Sequence, residues 1–573
     1  MTDNTNVLLI GIDAATFDII TPWLRAGKLP TIGQLVSTGA GGELLSILPI
    51  TPAAWTSAAT GLNVGKHGLC DFIKRVPNSY KLRLVNRRDR TCESLWSLAS
   101  RYGKKVIVIN YPMTYPPERV NGLMIADISP PGADAEFTYP RSLKRELIAQ
   151  FGSYKFSVDL SPEADGMKYI DAVFELTEFR GAVAKYLMET YDWNLFIVVF
   201  MGIDMIIHAF WKYIDPGWPH SKEEPNAGMY SEAILQIHQK LDKIISELWH
   251  VGNRIHGNEL TIVLVSDHGT GPLYKHVYLN NWLINKGFMQ LQNVRRYQRK
   301  RRGTKVYRLI PQRLQNFLTK YRLCFSGLTK LTGLKHEVYD EHEKNLASLS
   351  LVDWTKTIAY SYGNLSSITI NLRGREPKGI VDAGEELMAV KSQLIRELKK
   401  LRDPETNKRI VDYVVEKEKV FHGSYMDELP DLFIVMDDFK YMGKGVTPIY
   451  PVQTSALVET PSLSGTHRPN GIIIVHGPNI NEGVKLHDAE IIDVTPTVLY
   501  LLGIPLPHDM DGKVLTTAIA DSYLAARPIR YSVESMLRRG KMHKIRDDEL
   551  QITFTKAEED EIKSRLRKLG YVA

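Results

Sequence analysis

The sequence predicts an α/β protein with a mostly parallel central sheet flanked by helices, and three observations point there. Short apolar runs rich in β-branched residues recur along the chain, helical patterns lie between them, and three of the five runs end in aspartate. Continuous apolar runs of this length are those of strands buried on both faces. Alternation with helices implies right-handed crossovers, so that functional groups gather at the carboxyl ends of the strands.

The first run, VLLIGID (7–13), ends at Asp13. A helical pattern, SLWSLASRYG (94–103), stops at a glycine and leads into KVIVINY (105–111). NLFIVVFMGID (194–204) ends at Asp204, and a long amphipathic pattern (231–252) separates it from LTIVLVSDHG (260–269), which carries Asp267. The rhythm then breaks over 291–460 and resumes at GIIIVHG (471–477). The chain therefore divides into a first core part (1–290, with a short cap insertion at about 128–185), an inserted basic lid and smaller subdomain (291–460), a second core part (461–520) and a charged helical tail (521–573).

Charge is unevenly placed. The net charge is +7, yet the stretch between Leu291 and His336 holds thirteen Lys or Arg and no Asp or Glu, leaving the remainder at −6. Leucines and aromatics recur at helical spacing within it, so 292–335 reads as a lid with an apolar inner face or as a peripheral contact with an anionic membrane. Nucleic acid is disfavoured, because no stacking-aromatic module accompanies the basic residues. Three cysteines are too few for a disulfide framework. The N-terminus lacks a basic n-region, and no run approaches the roughly 18 apolar residues of a membrane span. A cytoplasmic protein is expected.

The chemistry-bearing residues cluster at the predicted strand ends. Asp204 and His208 are spaced to share a helical face, Asp267 and His268 are adjacent, and His467 precedes the last run. With Asp13 they make a mixed oxygen and imidazole set suited to zinc or manganese. Taken singly, each is as readily a helix cap or a structural histidine; their convergence on one sheet edge favours a metal centre. Thr51, before Pro52 in ILPITPAAW, is expected to cap a helix beginning at Pro52 and, if coordinated, to serve as a nucleophile.

Together the segments IGIDAATFD, ITPAAWTSAATGLNVGKHG, NYPMTYPP, FMGIDMIIHAFW, LVSDHGTGP, INLRGREPKGIV, GTHRPNGIIIVHGP and IIDVTPTVLYLLGIPLPHDMDGKVL resemble, in order, the alkaline phosphatase superfamily. Within it they are most similar to the type I phosphodiesterase/nucleotide pyrophosphatase family, in its cytoplasmic prokaryotic phosphohydrolase or phosphomutase branch. The resemblance implies an alkaline-phosphatase-like core with inserted cap and lid segments, and two divalent metal ions, zinc or in some members manganese. Asp13, Thr51, Asp267 and His268 match the ligands of one metal, with Thr51 the nucleophile that becomes phospho-threonine; Asp204, His208 and His467 match those of the other. The sulfatase segment C-x-P-x-R is absent. The family's nucleotide pyrophosphatases carry an asparagine where this chain has Ala54, and Lys66 and Arg468 are the cations expected to hold phosphate oxygens instead.

The expected function is metal-dependent hydrolysis of a phosphodiester or pyrophosphate, with a small-molecule or lipid-linked substrate. A phosphomonoesterase or phosphomutase on the same site is the alternative. From another class, the rival is a non-catalytic protein that docks on anionic membranes through its basic segment.

Overall fold

The computed structural model describes residues 5–128, 130–218, 223–292, 349–445, 458–459, 461–537 and 554–568. The basic stretch 292–335, expected to be a lid or a membrane contact, lies outside the described residues apart from Gln292. Among the described residues no helix is long and apolar enough to cross a membrane.

All five apolar runs become strands of one nine-stranded sheet. Its members are β1 (Asn6–Ile12), β2 (Ala40–Leu45), β3 (Val106–Tyr111), β4 (Gly122–Ala126), β5 (Thr138–Tyr139), β6 (Leu195–Phe200), β7 (Leu260–Val265), β8 (Asn470–His476) and β9 (Val484–Glu490). They are ordered β9-β2-β8-β7-β1-β6-β3-β4-β5. The centre, β7-β1-β6-β3-β4, is parallel throughout. Side chains alternate between two apolar layers: Leu8, Ile10 and Ile12 pack on one face with Phe196 and Val198, while Val7 and Leu9 pack on the other with Leu195 and Ile197. Burying each such side chain contributes about 1.5–3 kcal/mol, which is why these strands read as unbroken apolar runs.

The register brings the strand ends level. Ile12 lies opposite Phe200 and Gly11 opposite Val265, so the residues that follow β1, β6 and β7 leave the sheet along one edge. β8 departs from the expected parallel pattern: it runs antiparallel to both β7 and β2. The reason is positional. The chain enters β8 from the edge where β7 ends, through Gly465–Arg468, which pairs antiparallel with Gly269–Pro272.

Two helices start at this edge, α1 (Thr51–Thr60) and α2 (Gly202–Phe210), and every residue in both is buried. Close packing of α1 on β1 depends on Gly11. A Cβ there would meet Trp55 Cη2 at 2.5 Å and Val199 Cγ2 at 2.8 Å. Replacing Gly11 with alanine is therefore expected to cost about 1–3 kcal/mol through overpacking, read as a lower midpoint in urea unfolding.

A second, four-stranded sheet orders Ala359–Tyr360, Ser367–Ile370, Leu432–Met436 and Val411–Glu416 side by side, all antiparallel. A buried ion pair fastens it. Arg375 binds both oxygens of Asp431 at 2.7 Å, and Lys417 Nζ lies 3.1 Å from Oδ1. Burial pushes the Asp431 carboxyl up, but Arg375 and then Lys417 outweigh it and hold the group at about 2, below the usual 3.8. A depressed carboxyl stabilises the fold above its unfolded value and loses that stabilisation as pH falls through the folded one. The wild type should thus lose about 2 kcal/mol between pH 3.8 and about 2 from this group. Asp431→Asn should flatten that part of a urea-stability profile and cost about 3–5 kcal/mol at neutral pH, because two buried cations lose a shared carboxylate: Arg375 keeps only its ion pair with Glu376, and Lys417 loses its ion pair with Asp431.

Candidate metal and nucleophile centre

Each side chain of the centre is placed by the sheet edge. Asp13 follows β1, its backbone N–H donating to Phe200 O at 3.0 Å, and Ala14 then turns the chain with φ 66°. A non-glycine residue in the left-handed region is strained, and here that strain turns the chain away directly behind Asp13. Asp267 and His268 follow β7. Their loop is held by Ser266, whose hydroxyl donates to His268 O (2.6 Å) and accepts from Ala15 N (3.0 Å), and by Ser46, which donates to Asp267 O. Asp204 lies in the first turn of α2 and His208 one turn later, as the spacing predicts. His467 arrives on the strand preceding β8.

These side chains converge. Potential ligand atoms of Asp13, Asp267 and His268 lie within 4.8 Å of one another, and so do those of Asp204, His268 and His467. His268 belongs to both groups, its ring stacked on that of His467 with centroids 3.8 Å apart. His208 Nε2 is 3.2 Å from Asp204 Oδ1 and 3.0 Å from His467 Nε2. The aspartates and histidines of the two sets expected from the sequence thus form one contiguous cluster.

The three histidines share one protonation pattern. Each donates Nδ1–H to a backbone carbonyl: His208 to Gly465 O (2.8 Å), His467 to Pro49 O (2.7 Å) and His268 to Gly269 O (3.0 Å). A carbonyl only accepts, so Nδ1 carries a proton in each ring and Nε2, whose lone pair a cation would take, faces the cluster, the arrangement of an oriented metal ligand. Burial disfavours the charged form of His208, but Asp204 beside its Nε2 outweighs it and raises the group, while burial pushes His467 down. Two such lone pairs 3.0 Å apart repel unless a proton or a cation lies between them. Gly465 makes the first of these bonds possible, since a Cβ there would meet Ile207 O at 2.4 Å.

Thr51 is fully buried, and its position differs from the one expected. Ile50 is the N-cap of α1, so Thr51 is its first residue and Pro52 its second, and the hydroxyl caps nothing. Thr51 Oγ has no hydrogen-bond partner, and neither do Asp13 Oδ1, both carboxylate oxygens of Asp267 or His268 Nε2. Buried polar atoms are rarely left unpaired, and five in one cluster mark a site built for something else to bind. Three carboxylates and three imidazoles fit divalent cations of the zinc or manganese type.

Electrostatics agree with that donor set. Burial, and then the charge of Asp204, push Asp13 well above the carboxylate range; burial and the charges of Asp13 and Asp204 do the same to Asp267. Burial also disfavours the Asp204 carboxylate, but His208 and His467 outweigh it and hold that group well below its usual value. Burial keeps His268 neutral.

Two contributors were not singled out in the sequence. Trp55 donates its indole N–H to Asp13 Oδ2 at 2.9 Å, fixing the carboxylate that α1 packs against. Arg180, buried beside Asp127 (2.8 Å), acts on Asp13 through its charge. The tryptophan lies one helical turn after Thr51, and that spacing is the cue that could have revealed it. Lys66 and Arg468 are engaged elsewhere. The Lys66 ammonium meets the Asp511 carboxylate and the Asp509 carbonyl, and Arg468 donates to the carbonyls of Pro272, Phe439 and His467.

Comparison with known proteins places this geometry. Residues 7–445 match the family model "Type I phosphodiesterase / nucleotide pyrophosphatase", a span that includes every residue of the cluster except His467. The chain is similar in fold to phosphonoacetate hydrolase from Sinorhizobium meliloti 1021, solved with phosphonoformate, at TM-score 0.50 and 14% identity over 87% of this chain and 95% of that one. Human ectonucleotide pyrophosphatase/phosphodiesterase 5 aligns at TM-score 0.47 and 14% identity over 89% and 97% of the two chains. A 55-residue stretch is 44% identical to 2,3-bisphosphoglycerate-independent phosphoglycerate mutase of Agrobacterium fabrum, spanning only 10% of either chain. With more than half of its length matched by the family model, the chain belongs to the type I phosphodiesterase/nucleotide pyrophosphatase family.

Proposed function

We propose that this protein is a two-metal-dependent phosphohydrolase of phosphodiesterase or nucleotide pyrophosphatase type, with Thr51 as nucleophile. The observation that carries the reading is the unpaired Thr51 hydroxyl, buried at the start of α1 among equally unpaired oxygens of Asp13 and Asp267 and the free Nε2 of His268. Asp13, Thr51, Asp267 and His268 would hold one divalent cation, and Asp204, His208 and His467 the other, zinc first and manganese as the alternative. Bound cations supply a lowered pKa for the hydroxyl and neutralise charge on the phosphoryl oxygens.

The protein's own groups do the rest. The α1 N-terminus faces the phosphoryl group with its unsatisfied N–H dipoles. Thr51 Oγ forms a bond to phosphorus as the bond to the leaving oxygen breaks in line, and the hydroxyl proton is lost to the leaving group or to solvent. Water then adds to phosphorus, the Thr51 Oγ–P bond breaks, and the oxygen regains a proton. The three histidines act as neutral donors whose Nδ1 protons stay on the carbonyls of Gly465, Pro49 and Gly269. In this reading 1–290 and 461–520 form the catalytic core and 291–460 shapes access to it. Lys66 and Arg468 could hold substrate oxygens only after giving up their present partners.

Phosphomutase chemistry is the second reading, favoured by the local match to a phosphoglycerate mutase. It differs only in the acceptor, a substrate hydroxyl in place of water.

Two expectations test these roles. Adding Zn²⁺ or Mn²⁺ at about 100 times its Kd should stabilise the protein by about 2.7 kcal/mol per bound ion, read as a raised thermal midpoint, with elemental analysis counting two ions. In Asp204→Asn one ion and part of that gain should be lost; an unchanged midpoint with no bound metal would sink the metal assignment. Metal-loaded protein quenched during turnover of a phosphodiester should carry on Thr51, by peptide mass spectrometry, the phosphoryl group with the ester substituent that is not the leaving group. Thr51→Ala should abolish the label and lower kcat on the order of a thousandfold or more. Phosphate recovered on an added alcohol rather than as free anion would favour the mutase.

A further inference from the structure

A cavity of about 310 Å³ opens onto the candidate centre, with His208 and His467 in its wall. The remaining donors, Asp13, Thr51, Asp204, Asp267 and His268, are buried and lie outside its lining, so the cavity reaches the cluster from the side of His208 and His467. One wall is the segment that delivers Thr51, through Leu45, Ile47, Leu48 and Ile50. The opposite wall comes from the four-stranded sheet, through Val415, Phe433 and Val435.

The lining is chemically one-sided. Among the described residues it contains no Asp, Glu, Lys or Arg, and Asn364 supplies its one side-chain amide. A second phosphate or a carboxylate would find no cation here. Three large side chains of the wall, Leu45, Ile47 and Tyr413, are 41%, 43% and 51% exposed. Several exposed apolar side chains gathered at the mouth of one cavity mark a surface meant to be covered. Aliphatic side chains line both walls, with Phe421, Phe433 and Phe439 among them, so the lining is apolar on either side of a chain.

We propose that this cavity takes the hydrocarbon chain of the substrate, making the preferred substrate a phosphodiester with one alkyl or acyl-chain substituent. The proposal rests on the phosphohydrolase reading of the Thr51 centre. The chain lies between Ile47 and Val435 while the phosphoryl group sits at the histidine end, so the energy of burying the chain positions phosphorus against Thr51.

The test uses the full-length protein loaded with Zn²⁺ or Mn²⁺ and a series of p-nitrophenyl alkyl phosphates, from methyl through butyl to octyl, with thymidine 5′-p-nitrophenyl phosphate as comparator. Release of p-nitrophenolate should show kcat/KM rising about fourfold per added methylene until the cavity is filled. Binding of methyl, butyl and octyl phosphonates, followed by calorimetry, should tighten with chain length in parallel. Val435→Asp should lower the octyl-to-methyl ratio in both assays. Equal kcat/KM for methyl and octyl esters, or a preference for the thymidine ester over octyl, overturns the proposal and leaves the hydrolase reading standing. Chain-length-dependent phosphonate binding without turnover of any ester does the reverse: it supports the apolar cavity and removes the hydrolase reading.

Discussion

The constraint on which this structure turns is the burial of three carboxylates, Asp13, Asp204 and Asp267, at one sheet edge. Two like charges about 4 Å apart repel by about 4 kcal/mol even at an effective dielectric constant of 20, so such a trio persists only with positive charge or protons among them. Two of the three carboxyls are pushed far up and the third is held down by His208 and His467, which divides the cluster into unlike halves. Everything around it serves to hold that arrangement in place.

Sheet direction follows from the same constraint. Asp13, Asp204 and Asp267 come after their strands, whereas His467 comes before β8. Residues that follow and residues that precede a strand can share an edge only if the strands run in opposite directions. β8 is accordingly antiparallel to β7, and His467 is delivered from a short strand paired with the one that follows Asp267 and His268. A parallel β8 would have carried His467 to the far side of the sheet.

Orientation is supplied by the backbone. Carbonyls of Pro49, Gly269 and Gly465 fix the three imidazoles, and the hydroxyls of Ser46 and Ser266 tie down the loop after β7. Gly11 and Gly465 matter because they lack a side chain: one lets Trp55 reach Asp13, the other lets β-structure approach α2. Bonds of this kind fix the ring planes and the loop in advance, so the side chains of the cluster need no reorientation to share a ligand.

The sequence by itself determined the α/β class, the five core strands, and the six aspartates and histidines that meet at the sheet edge. These were legible because burial on both faces writes an unbroken apolar run, and because aspartate and histidine stand out where such runs stop. The place of Thr51 was not legible: it was expected to cap α1, and Ile50 occupies that position, leaving the hydroxyl without a hydrogen-bond partner. Only the tertiary structure decided the direction of β8, the protonation pattern of the histidines, the bond from Trp55 to Asp13, and the apolar cavity between Ile47 and Val435. The physical reason is common to all four. Each joins segments distant along the chain, several through backbone carbonyls that every residue carries alike, and so leaves no local pattern to read.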